Sequence, residues 1–128
     1  MTILHEERLA QLHPDLAAVV RKAAKTAPWD IAVLETLRTR ERQQQLVNQG
    51  ASQTMKSRHL AGADGLSRAV DVAPAPDGTI SWAWPLYHDL ATHMKDAANQ
   101  LKQNIEWGGD WKSFKDGPHW QLPWANYP

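Results

Sequence analysis

Apolar residues first recur at a helical interval from Pro14 to about Thr26. Leu16, Val19, Val20 and Ala23 share one face there, and Arg21, Lys22 and Lys25 lie off it. Pro14 suits the first turn of such a helix, where its missing N–H would have no partner anyway. Ahead of it, residues 3–12 carry a weaker pattern that predicts a short helix capped by Thr2. Beyond it, Pro28-Trp29-Asp30 reads as a turn and Ile31-Ala32-Val33-Leu34 as an apolar strand. Thr39 can cap a helix over 40–48, with Gly50 as its stop. A polar loop over 50–58 and an irregular stretch over 60–68 precede a second strand over 69–73, which Pro74 to Gly78 should end as a turn.

The second half is patterned more strongly. Thr79-Ile80-Ser81-Trp82 predicts a brief return to strand. Pro85 opens the clearest helix, to about Gln103, on a stripe of Leu86, Leu90, Met94, Ala97 and Leu101. Ile105-Glu106-Trp107 and His119-Trp120-Gln121-Leu122 read as two more strands. Helices and short strands mingle without a regular βαβ repeat, so the predicted class is α+β, a small antiparallel sheet flanked by helices.

Composition narrows the function. At 128 residues the chain is expected to be one domain with a real core. Fourteen basic residues balance fourteen acidic ones, and they are scattered, so no phosphate track marks a nucleic-acid binder. No run approaches the ~18 apolar residues of a membrane span, and the first residues lack a basic-then-apolar leader. A monomer made in a cytoplasm, without membrane insertion, is the expectation. The absence of cysteine excludes a disulfide scaffold, a thiol nucleophile and Cys-ligated zinc. A metal would have to be held by His and carboxylate.

The candidate chemistry gathers in two places. Asp71 lies in Ala-Val-Asp-Val-Ala, where a buried carboxylate is costly without a hydrogen bond, a cation or a metal. His59 precedes it after a polar turn, and Asp116-Gly117-Pro118-His119-Trp120 supplies a second imidazole and carboxylate. Two His and one carboxylate from separate elements leave a tetrahedral position open, as at a catalytic zinc. Each residue also has a blander reading. An isolated His such as His59 more often packs than ligates, Asp116 before Gly-Pro is an ordinary turn residue, and Arg38 is surface charge. His5, His13, His88 and His93 read as solvated or packing, and Trp107, Trp111, Trp120 and Trp124 as packing first and substrate contacts second.

Taken in order, Ser57-Arg58-His59-Leu60-x-Gly62, Ala69-Val70-Asp71, Trp107-Gly108-Gly109-Asp110-Trp111 and Asp116-Gly117-Pro118-His119-Trp120 resemble the zinc peptidoglycan peptidases. These comprise D-alanyl-D-alanine carboxypeptidases and, more closely similar here, phage L-alanyl-D-glutamate endolysins. The resemblance runs from about Pro14 to Leu122 and implies a hedgehog/DD-peptidase-like fold, Zn2+ and a peptidoglycan stem-peptide substrate. It carries the metal ligands onto His59, Asp71 and His119, and the general base onto Asp116. The arginine that stabilises the substrate carbonyl oxygen falls on Arg38, and a site-orienting serine on Ser57.

Two departures stand out. Eleven residues separate His59 from Asp71, more than the family's usual spacing, and the extra stretch contains Asp64 near the usual offset. Asp71 is the preferred ligand, because a strand fixes a side chain's direction better than a glycine-flanked loop. Gln121 stands where many relatives have glutamate in His-x-Glu-Leu; it and Trp120 are candidates for supporting the site or touching substrate. The resemblance implies hydrolysis of a stem-peptide amide, L-Ala–D-Glu first, on a cell wall reached after another protein permeabilises the membrane. A D-Ala-D-Ala carboxypeptidase, a non-catalytic wall-binding module and a dipeptidase are the alternatives.

Overall fold

The stripe around Val19 and Val20 folds as helix α1, Pro14–Thr26, with Leu16, Val19, Val20 and Ala23 wholly buried. The structure, a computed structural model, describes residues 2–52 and 54–128; Met1, and Gln53 in the polar loop 50–58, lie outside the described residues. Strand β1 is Ile3–Leu4, β2 Asp30–Glu35, β3 Ala69–Ala75, β4 Glu106–Trp107 and β5 His119–Gln121. Helix α2 spans Arg40–Asn48 and α3 Trp84–Leu101. The sheet order is β1-β2-β3-β5-β4, antiparallel except for the β1–β2 pair. The mixed class holds, with one parallel edge added to the antiparallel sheet.

Alternation along the strands decides what each face carries. Ile31 and Val33 on β2, Val70 and Val72 on β3, Trp107 on β4 and Trp120 on β5 all join the core with α1 and α3. The two helices pack on each other, and α3 also packs on β3. Leu90 and Met94 of α3 are fully buried, each contributing roughly 1.5–3 kcal/mol. The register pairs Val70 with Trp120 and Trp107 with Trp120 on this side, and Asp71 with His119 and Glu106 with Gln121 on the other. Polar residues of β3, β4 and β5 therefore share the face away from α1 and α3.

Several predicted elements came out differently. The segment 3–12 is not one helix: Ile3 and Leu4 pair with Ile31 and Ala32, His5 turns the chain at φ 61°, and a 3-10 turn follows over Glu6–Gln11. Edge pairing on β2 wins over weak helical propensity there. Strand β3 runs through Pro74, opposite Ile31. Ile31 N–H donates to Thr2 O and Pro74 O accepts from Ser81, so both face away from each other and proline's missing donor costs nothing. Residues 79–82 form no strand and only lead into α3, which starts at Trp84, one residue before Pro85. It ends at Leu101 with Lys102 in the left-handed region, and Leu101 at the end of the stripe is exposed. Helix α2 matches its prediction, with Thr39 Oγ1 accepting from Arg42 N–H.

Candidate metal centre

Three side chains converge on the polar face of the sheet. His59 Nε2 lies 3.1 Å from Asp71 Oδ1, and His119 Nδ1 lies 3.4 Å from the same oxygen. The facing atoms of the three residues all fall within 4.8 Å of one another, and the group can hold a metal ion. His59 and His119 are buried, their rings 5.1 Å apart edge to face.

The far side of each ring is already committed. His59 Nδ1 is 2.8 Å from the Thr36 carbonyl oxygen, which can only accept, so Nδ1 carries a proton and, in the neutral ring, Nε2 is left as a lone pair. His119 Nε2 is 2.7 Å from Gln121 Oε1, again an acceptor, which leaves Nδ1 as the lone pair of the neutral ring. Two imidazole lone pairs and a carboxylate oxygen thus point at one place. Such a convergence of acceptors can be satisfied by protons on the rings or by a metal cation, and a donor set of two imidazoles and one carboxylate suits zinc without any thiolate.

The electrostatics follow the same geometry. Burial alone would push the Asp71 carboxyl up, yet when the facing His119 and His59 nitrogens carry protons, their hydrogen bonds and charges hold it well below the usual carboxylate range. For His119, burial pulls the imidazole down, but the Asp71 hydrogen bond and charge overcome it and leave it raised. The same field that holds a proton on His119 would hold a metal instead. Asp116 is raised by burial first and by the Asp71 charge second, against the opposing pull of His119, His59 and Arg38.

Asp116 is placed by the Trp107-Gly108-Gly109 turn. Its N–H donates to Gly108 O, 3.1 Å, and a Cβ on Gly108 would run into the Asp116 carbonyl oxygen. A Cβ on Gly109 would strike the Trp107 ring. The two glycines permit the close approach that brings Asp116 to the site.

Arg38, at the exit of β2, is held by three residues. Its Nε and Nη2 donate to the two carboxylate oxygens of Glu35 at 2.6 and 3.0 Å, and Nη1 donates to Gln43 Oε1 at 2.7 Å and Ser57 Oγ at 3.4 Å. One Nη2 hydrogen has no partner among the described residues. Gln43 is fully buried and spends its amide donors on Ser52 and Thr54. Ser57 Oγ also accepts from the His59 backbone N–H, 3.1 Å, so it braces arginine and imidazole together.

A cleft of about 510 Å³ opens here, lined by Arg38, Ser57, His59, Asp116, His119 and Gln121. Trp111, Phe114 and Trp124 form its aromatic walls, with the Trp111 ring 5.1 Å from that of His119. Trp120 is elsewhere: it is fully buried, stacked on Trp107 at 5.6 Å, on the core face of β5. Its part is packing, which corrects its candidacy as a substrate contact. Asp64 is also away from the centre, pairing with Arg68 at 2.7 Å and accepting from Leu66 N–H. His88 and His93, both on α3, pack against Trp107 and Trp29 respectively.

Sequence reasoning missed Thr36, Glu35 and Glu106. Thr36 acts through its backbone, which no side-chain pattern reveals. Glu35, three residues before Arg38, carried a weak signal as a carboxylate beside an arginine at a strand end.

Residues 2–121 match the family described as phage L-alanyl-D-glutamate peptidase. The chain is similar to the L-alanyl-D-glutamate peptidase of Listeria phage A118, 38% identical over 98 residues, covering 77% of this chain and 32% of that protein. It is similar to the L-alanyl-D-glutamate peptidase of Escherichia phage T5, 28% identical over 115 residues, covering 87% of this chain and 80% of that one. Against the peptidoglycan L-alanyl-D-glutamate endopeptidase CwlK of Bacillus subtilis it is 30% identical over 128 residues, with 88% and 74% covered. The chain therefore spans under a third of the Listeria phage protein but most of the other two. Among solved structures, the Serratia marcescens L-Ala D-Glu endopeptidase ChiX superposes with a TM-score of 0.91 at 41% identity, covering 100% of this chain and 94% of that one.

Proposed function

Because the chain belongs to the phage L-alanyl-D-glutamate peptidase family, we propose that it is a zinc peptidase that hydrolyses the L-alanyl-D-glutamate bond of the peptidoglycan stem peptide. His59, Asp71 and His119 would hold the metal. The observation that carries this reading is the convergence itself: the far nitrogen of each imidazole is bonded to an acceptor, so both neutral rings would present lone pairs to the place that Asp71 Oδ1 also faces.

Bound there, zinc supplies Lewis acidity, polarising the scissile carbonyl and lowering the pKa of a water to near ~7. The chain's own groups do the rest. Asp116, raised by burial and by Asp71, is a better proton acceptor than an ordinary carboxylate; it takes a proton from the attacking water and returns it to the leaving amine. Arg38 directs its spare N–H at the negative charge that develops on the scissile carbonyl oxygen. Its clamp by Glu35, Gln43 and Ser57 means that little reorganisation accompanies that step. The aromatic walls offer flat apolar surfaces to the stem peptide.

The test is digestion of purified peptidoglycan, with and without a chelator and with zinc restored, followed by mass analysis of the fragments. Zinc-dependent separation of L-alanine from D-glutamate is the expected result. Release of single D-alanines would make the protein a carboxypeptidase, and no cleavage with zinc bound would make it a wall-binding module.

A further inference from the structure

The two imidazoles of the centre are oriented by different means. His59 is set by a main-chain carbonyl, Thr36 O, which also accepts from Ser67 Oγ at 3.0 Å. His119 is set by a side-chain amide, and an amide can turn over. If the Gln121 amide were reversed, its NH2 would face His119, Nε2 would become the acceptor and the proton would move to Nδ1. The nitrogen facing Asp71 and His59 would then be a donor and could not bind a cation.

We infer that Glu106 is a positioning residue that acts through Gln121 to fix which ring nitrogen of His119 faces the metal. Gln121 Nε2 donates to Glu106 Oε1 at 3.1 Å, across the β4–β5 register pair that sets the two residues opposite each other. An ionised carboxylate only accepts, so it draws the NH2 of Gln121 toward β4. The amide oxygen must then point to His119, which obliges Nε2 to donate and Nδ1 to stay bare. Each link admits one arrangement, and the sole ionised group in the relay sits at its outer end, on the exposed residue of a two-residue edge strand.

This also accounts for glutamine at position 121. A carboxylate there would lie about as close to Glu106 as the amide does now, and two like charges directly opposed across strands repel. The relay keeps one negative charge but sets it one residue further from the ring. The inference rests on the proposal that a metal is held by His59, Asp71 and His119.

The test uses the full chain and two readouts: zinc affinity by competition with a chromophoric chelator, and the His119 ring tautomer by 15N NMR of the metal-free protein. The native protein should show His119 protonated at Nε2. Glu106→Ala should weaken zinc binding roughly tenfold or more, the scale seen when outer-shell partners of metal-binding histidines are removed, with a mixed tautomer and an unchanged fold. Gln121→Glu alone should also weaken it, while Gln121→Glu combined with Glu106→Gln should restore native affinity, because a carboxylate at 121 can only accept from Nε2. A merely structural role for Glu106 would not give that rescue. Native zinc affinity and an unchanged tautomer in Glu106→Ala would overturn the inference while leaving the metal site intact. Absence of zinc binding by the native protein would overturn both.

Discussion

Asp71 and His119 are directly opposed partners across the antiparallel β3–β5 ladder, with Asp71 Oδ1 3.4 Å from His119 Nδ1. Two of the three side chains that could hold a metal are thus held by the sheet itself. The third, His59, is brought in by a loop tied at both sides, through Arg38 N–H to His59 O and Arg68 N–H to Arg58 O. The β2–β3 register shifts between Val33 and Glu35, just before β2 hands over to Arg38.

Asp71 and Asp64 should separate cleanly in a metal-binding assay. Asp71→Asn removes the shared carboxylate and should abolish tight zinc binding in a chelator competition. Asp64→Ala removes an exposed partner of Arg68 and should leave both zinc affinity and melting temperature near native.

Asp116→Asn should retain zinc and lower kcat by roughly 10²–10⁴, the usual worth of a general base. The base works only when deprotonated, and its pKa is raised. The acid limb of kcat/KM should therefore lie above the ordinary aspartate value, with activity falling as pH drops through it. Stopped assays across pH on a soluble stem-peptide substrate would locate the limb; a limb at or below the usual aspartate range would remove Asp116 from the role.

Gly108→Ala is expected to act at a distance of eight residues. The new Cβ would collide with the Asp116 carbonyl, a backbone atom that cannot simply rotate aside. A displacement of ~1 Å in a reacting group can cost on the order of 10²-fold in rate, so turnover should fall steeply while zinc content stays native by elemental analysis.

Arg38→Lys keeps the charge but loses the fork that grips both Glu35 oxygens, so it should not rescue Arg38→Ala. A loss of roughly 10²–10³ in kcat, with little change in metal affinity, is expected from removal of one oxyanion donor. Steady-state kinetics beside a zinc titration distinguishes this from a ligand defect.

Trp120→Ala tests the core assignment. It would empty the space between Val70 and Trp107 and cost about 3–5 kcal/mol in denaturant unfolding. Zinc-site geometry on the opposite face should survive in the fraction that folds.

Local pattern was enough for the elements whose periodicity is strong and whose ends carry caps: α1 from Pro14, α2 from Thr39, most of α3 and the apolar segment that holds Asp71. For the candidate centre, local pattern marked a carboxylate in a buried strand as needing a partner, and the roles given to His59, Asp71, Asp116, His119 and Arg38 came from the family resemblance. Everything else waited for the chain to fold. Whether Asp71 or Asp64 joins the imidazoles depends on the β3–β5 register, a relation between segments nearly fifty residues apart that local pattern does not encode. Trp120 and Gln121 are neighbours in the chain, yet pleating sends one into the core and the other to the cleft. Residues 3–12 became a parallel edge strand and a 3-10 turn because β2 offered unpaired backbone there, which outweighs a marginal helical preference. The hydrogen bonds that orient each imidazole, from Thr36 O and from Gln121, itself bonded to Glu106, exist only once the sheet has formed, and they bring two histidines and an aspartate together as a group that could hold a cation.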